Sequence, residues 1–171
     1  MAIKFLRLII LLLLFIPSAY AQKSKSNNIG KIIDAYLGVK NALVNDDGAT
    51  AKFKANDLFQ LFAGSPDKGL NHDQSKLIAD YLQPILENTR YIAETSTESE
   101  QRSYLSSLSR AMYGLLKGLK INTSTLYEQY CPLNKSYWLS ETKEIKNPYY
   151  NYGEKDMITC GKTISVLAAV N

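Results

Sequence analysis

Three side chains near the C-terminal end are the ones best suited to chemistry: Cys131, Met157 and Cys160. Two thiolates and a thioether are soft, polarisable donors, a set matched to Cu(I) or a similar soft metal ion. Met157 and Cys160 stand three positions apart, which suits binding of one ion. The same two cysteines, the only ones in the chain, form an even set that in an oxidising compartment favours a disulfide. Closing a loop of about 30 residues would add roughly 3.5 kcal/mol by the chain-entropy argument. Both the metal site and the disulfide Cys131–Cys160 are therefore carried forward. A thioredoxin-type redox pair is disfavoured, because there is no Cys-x-x-Cys spacing.

Between the cysteines the chain is rich in aromatics. Half of its twelve tyrosines and its only tryptophan fall from Tyr127 to Tyr152. Tyr127, Tyr130, Trp138, Asn147, Tyr149 and Tyr150 form a candidate binding surface on which a sugar or another flat ligand could stack. The alternative is that these rings supply the burial of a segment poor in aliphatic residues.

Elsewhere the residues argue against catalysis. His72 is the only histidine and sits in a loop-like Asn-His-Asp-Gln run, so it is expected to be solvated or capping. There is no His-Glu-x-x-His set, no glycine-rich phosphate loop and no Gly-x-Ser-x-Gly elbow. Asp46 and Asp47 lie where a helix begins, and capping explains them. The expectation is a protein that is not an enzyme.

The first 21 residues have the three parts of a secretory signal peptide. Lys4 and Arg7 are its basic start, Leu8 to Ile16 its apolar run, and Ala19-Tyr20-Ala21 its cleavage site. That run is shorter than the ~20 residues a membrane span needs, so no stable membrane insertion is expected after cleavage. Cleavage after Ala21 takes 21 of 171 residues and leaves 150, enough for one domain with its own core. Loss of Lys4 and Arg7 lowers the formal charge from +4 to +2. That is too little to recruit nucleic acid, and no basic stripe interleaved with aromatics is present.

The elements that must position these residues are mainly helical. Residues 22–28 read as a disordered leader, and 29–120 as a helical bundle. Ile29, Ile32, Ile33, Tyr36, Leu37, Leu43 and Val44 recur near the helical period, with Lys31, Asp34, Lys40 and Asn41 facing away. A second helix follows the Asn-Asp-Asp-Gly break, with Ala51, Phe53, Ala55, Leu58, Phe59 and Phe62 as its core face, and Gly64-Ser65-Pro66 stops it. A third runs from Asn71 or Asp73 to about Ala93, where Pro84 predicts a kink or a division in two. Thr97-Glu98-Ser99-Glu100 is a capping box that launches a fourth helix, with Leu105, Leu108, Met112, Leu115, Leu116 and Leu119 on one stripe. The fold class is mainly α, an antiparallel four-helix bundle. Residues 121–171 form a small, aromatic-rich, hairpin-like appendage packed on it, with extended segments at Leu126–Tyr130 and within Met157–Leu167.

The residues also resemble a known bacterial family, the domain of unknown function 3347. Tyr36-Leu37, Lys40, Ala42-Leu43-Val44 and Asp46-Asp47 look like its first helix and turn; Gln101-Arg102, Leu108-Ser109 and Ala111 look like its later helix. The tail resembles it most: Tyr127, Cys131-Pro132, Trp138-Leu139-Ser140, Glu144-Ile145, Asn147-Pro148-Tyr149-Tyr150, Gly153, Met157 and Cys160-Gly161. Such proteins occur chiefly in Bacteroidetes, exported alone or fused to periplasmic adaptor subunits of heavy-metal efflux pumps. The resemblance implies a periplasmic protein linked to copper or heavy-metal handling, with an envelope partner such as an efflux adaptor. Leu133 stands where the family usually has methionine and Tyr130 where histidine is common. The ligands it implies here are thus Cys131, Met157 and Cys160. The competing expectation is a disulfide-stapled helical interaction module without metal.

Overall fold

The computed structural model describes residues 17–150 and 155–170. Residues 1–16, which hold most of the expected signal peptide, lie outside them. Four helices, α1 (Pro17–Val44), α2 (Gly48–Ala63), α3 (His72–Glu94) and α4 (Glu98–Leu119), precede strands β1 (Leu126–Cys131) and β2 (Ser136–Ser140). A 3₁₀ turn (Lys155–Thr159) leads into β3 (Lys162–Leu167). The three strands form an antiparallel sheet in the order β2-β1-β3. Each helix packs mainly on its neighbours in sequence, and β2 lies against α4 and α1. The mainly α architecture with a small C-terminal sheet is the expected one.

Local chemistry sets the helix ends. Asp47 caps α2, its carboxylate accepting from the Thr50 amide at 2.9 Å. Asn71 and Gln74 form a reciprocal capping box on α3, satisfying two amides that the first turn leaves without partners. At α4, Thr97 accepts from the Glu100 amide. The Glu100 carboxylate, however, meets the Thr97 hydroxyl and not its amide, so the expected box is half formed.

Several expectations are corrected. The helix α1 begins at Pro17 and runs through residues 22–28, assigned above to a disordered leader. Those residues contain neither glycine nor proline, and extending an existing helix costs little compared with nucleating one. The helix α3 runs through Pro84 without dividing in two. The carbonyl that the proline leaves without a donor belongs to Asp80, an exposed residue that water can reach, and Asn88 donates to the Pro84 carbonyl at 2.7 Å. Lys40 points inward, 2 % exposed, drawn to Glu141 at the end of β2 (3.0 Å). Residues 155–159 coil into the 3₁₀ turn, so the extended segment expected from Met157 starts only at Lys162.

Phe53, expected in the core, is 62 % exposed. Ala51, Ala55, Leu58 and Phe62 define the buried face of α2, and two residues beyond Ala51 a side chain has turned about 200° away from it. Phe62, by contrast, is 1 % exposed within the core. Truncating Phe62→Ala is expected to cost about 3–5 kcal/mol, whereas Phe53→Ala stays within about 0.5 kcal/mol. Urea unfolding of the two variants measures the difference directly.

Candidate functional site

Cys131 ends β1, fully buried, and Cys160 follows the 3₁₀ turn. Their sulfurs are joined in a disulfide (S–S 1.97 Å, Cα–Cα 5.3 Å). The Cys160 amide donates to the Met157 carbonyl at 3.0 Å, so Met157 and Cys160 share one turn beside Cys131. Asn147 locks that turn. Its amide donates to the Ile158 carbonyl (2.8 Å), its Nδ2 to the Met157 carbonyl (2.9 Å), and its Oδ1 accepts from the Tyr149 amide (2.9 Å).

Trp138 closes the other side of this corner. Its ring is fully buried, and its indole N–H donates to Gln129 Oε1 at 2.7 Å. The Gln129 amide nitrogen in turn donates to the carbonyls of Thr142 (3.1 Å) and Glu144 (3.2 Å), folding the following loop over the sheet. Gly161 passes under the indole with φ +152. A Cβ there would sit 2.7 Å from the ring and 3.1 Å from Ile145, so both backbone angle and space demand glycine.

The expected binding surface is therefore turned mostly inward. Trp138 and Asn147 are wholly buried. The Tyr149 hydroxyl donates to the Tyr137 carbonyl, and burial pushes its pKa well above the ordinary range. Tyr150 donates to the Val44 carbonyl (2.7 Å) and reaches Asp46 Oδ2 (2.9 Å). Tyr130 lies against Tyr137, ring centroids 4.6 Å apart. Tyr127 is half-buried with the Lys143 ammonium 5.9 Å from its ring centre. A segment with few aliphatic side chains has used its rings for packing and their hydroxyls as internal donors.

Charged residues join the sheet to the bundle. Arg102, on the buried face of α4, donates from Nε to the Pro148 carbonyl (2.7 Å) and from a terminal nitrogen to the Leu43 carbonyl (2.8 Å). It also pairs with the Asp46 carboxylate and stacks on Tyr150. Lys40 and Asn41 both bond Glu141. Burial lowers the Lys40 pKa against the opposing pull of Glu141. Burial pushes the Glu141 carboxyl up, yet the donors from Asn41 and Lys40 outweigh it and leave it lowered. The pair thus favours the carboxylate and strains the ammonium, as expected when the lysine is the deeper partner.

Arg102 and Tyr36 were missed as organising residues. Arg102 does fall in the apolar register of α4, ahead of Leu105, Ser109 and Met112, and a cation on a seam signals a buried partner. Gln129 and Glu128 gave no such signal.

Among the described residues no three His, Cys, Asp or Glu side chains converge as a metal cluster, and no helix is long and apolar enough to cross a membrane. Residues 32–124, more than half of the chain, match the family described as protein of unknown function (DUF3347). The chain belongs to this family. No curated protein and no solved structure matches it. The DUF3347 match covers the C-terminal part of α1 from Ile32, all of α2 to α4 and the start of the linker. The disulfide-bearing sheet, where the resemblance was read most strongly, lies beyond it.

Glu128 faces the bundle from β1, nearly buried. Burial raises its pKa from the ordinary 4.5, opposed by Tyr113, Lys117 and Arg110. A group that binds its proton more tightly when folded stabilises the fold at acid pH, and loses that contribution as the pH rises through its folded value. Glu128→Gln removes the ionisation. The variant is expected to match the parent at acid pH and to gain on it as the pH rises above the ordinary carboxylate range, levelling off once Glu128 is ionised in the folded protein, in urea midpoints read from about pH 4 to 8. A pH-independent difference would refute the assignment.

Proposed function

We propose that this member of the DUF3347 family is a non-enzymatic interaction module of the cell envelope, exported through its N-terminal leader and oxidised outside the cytoplasm. The observation that carries this is the closed Cys131–Cys160 bond. Disulfides of this kind persist in oxidising compartments, and this one ties the last strand to the end of β1. The helices form a rigid base, and Arg102, Tyr36 and Lys40 fasten the sheet to it.

The bond accounts for order in a segment whose other anchors are Asn147 and Trp138. Replacing both cysteines, Cys131→Ser with Cys160→Ser, is expected to cost about 3.5 kcal/mol in urea unfolding, with a red shift of Trp138 emission as its cover loosens. Intact mass of the exported protein should rise by two hydrogens on reduction. Recovery of the native protein with both thiols already free would overturn the proposal.

A soft-metal role belongs only to the reduced protein. In the oxidised form the two sulfurs are bonded to each other and neither is a thiolate, so Cys131, Cys160 and Met157 do not fit Cu(I). One observation favours a metal after reduction: the Cys160–Met157 turn lies beside Cys131. Titration of reduced protein with Cu(I) against a competing chelator decides between the readings. Under the interaction-module reading, binding is micromolar or weaker and unchanged by Cys160→Ser. A tight one-to-one complex weakened by Cys160→Ser and Met157→Leu would establish the metal reading, and with it the link to copper or heavy-metal handling beside an efflux adaptor.

A further inference from the structure

The sheet has two edges, and the protein treats them oppositely. Along β2 the outward backbone groups are met by side chains. The Tyr137 amide donates to Ser106 Oγ (3.3 Å), the Leu139 amide to the Tyr36 hydroxyl (2.9 Å), and the Tyr137 carbonyl accepts from Tyr149. Those bonds also fix the alternation. Since Tyr137 and Leu139 turn away from β1, their partners Tyr130 and Glu128 turn toward β3, where they pair with Lys162 and Ser165. Val166, opposite Tyr127, is left with its amide and carbonyl facing outward.

Nothing among the described residues covers that row. The chain after β3 is pinned on the inner side: Asn122 Nδ2 donates to the carbonyls of Leu167 (3.4 Å) and Ala168 (2.9 Å). The Val170 amide returns to the Asn122 carbonyl (2.9 Å). Alongside the open backbone stand Val166, 53 % exposed, and Ile164, 44 % exposed. Ile164 lies where β3 carries an extra residue against the Glu128–Gln129 step. An edge of this kind is an unmatched template for another strand.

We propose that the outer edge of β3 is a docking strip for an extended segment of a partner polypeptide, joined by strand addition, apolar at alternate residues and carrying a carboxylate at its flank. The inference rests on the interaction-module reading above and names its surface. An unpaired backbone row specifies extended chain as the occupant, and the exposed Ile164 and Val166 specify apolar side chains at every second position. Charge specifies the flank. Lys162 opens the strand, exposed, and has no carboxylate within ion-pair distance among the described residues. Glu141 and Glu144, by contrast, are engaged by Lys40 and Lys146. Six residues give an edge ~20 Å long, room for one short extended segment.

The test uses the full, disulfide-bonded protein and a short synthetic peptide of alternating valine and threonine with glutamate at each end. Amide exchange is followed residue by residue by NMR. In the free protein the Val166 amide should exchange rapidly, and saturating peptide should slow it about tenfold or more. Val166→Pro removes the outward donor without breaking the ladder to β1 and should abolish peptide binding. Lys162→Glu leaves the backbone intact and should shift preference from the glutamate-ended peptide to a lysine-ended one. Three results would overturn the proposal: a Val166 amide already protected in the free monomer, no slowing at millimolar peptide, or binding indifferent to both substitutions. Protection that grows with protein concentration alone, and vanishes in Val166→Pro, would place a second copy on the edge and also overturn it. Peptide binding untouched by Val166→Pro refutes this edge while leaving the interaction module standing; free thiols in the exported protein strike that module independently.

Discussion

The Tyr36 hydroxyl is the point where the bundle and the sheet become one structure. It lies 2.7 Å from Ser109 on α4 and accepts from the Leu139 amide of β2 at 2.9 Å, so one oxygen serves three elements. Burial holds the phenol well above its ordinary pKa range despite these bonds, and it therefore stays neutral across the whole working range of pH. The helices α1 and α4 meet only lightly, and β2 fills the seam between them. The Leu139 side chain completes the core there, while its backbone needs a donor–acceptor match that an aliphatic residue at position 36 could not give.

The same logic runs through the tail. Tyr149, Tyr150, Trp138, Gln129 and Asn147 each direct a polar atom at a backbone or side-chain partner inside the protein. Aromatic residues can bury area and satisfy a hydrogen bond in one stroke. That combination lets a three-stranded sheet with little aliphatic content hold a fixed position. It also separates two properties that composition runs together: a tyrosine-rich segment need not present tyrosines to a ligand.

How much of this was legible in the sequence follows from the range of the forces involved. Periodicity and capping are local, so four helices could be read, together with Asp47 as a cap and Leu126–Tyr130 as a strand. The disulfide was legible only as one of two alternatives. What was not legible depends on contacts far apart along the chain. Lys40 was assigned to solvent because nothing near it in sequence foretells Glu141, 101 residues on. Asp46 was read as a possible cap, whereas its carboxylate meets Arg102, 56 residues on. Phe53 failed for the opposite reason: composition suggested burial where the phase of Ala51, Ala55, Leu58 and Phe62 already argued against it. Of the six candidate binding residues Trp138 and Asn147 are buried and the four tyrosines half-buried, and sequence gives no sign of which side of a short, irregular segment looks inward.

The disulfide does more than close a loop. Tyr130 pairs with Lys162 in the ladder, and just past that pair Cys131, next to Tyr130, is bonded to Cys160, two residues before Lys162. The bond therefore sets where β3 begins against β1. A one-residue slip in a strand moves its side chains to the opposite face, and β3 has only β1 to hold it in register. With the start fixed by sulfur, the turn by Asn147, and Gly161 fitting only under Trp138, the strand has one available alignment. That alignment directs Ser165 to Tyr113 on α4 (2.8 Å) and Val166 toward solvent. The exposed edge and the buried bond are thus two consequences of one constraint on the path of the chain.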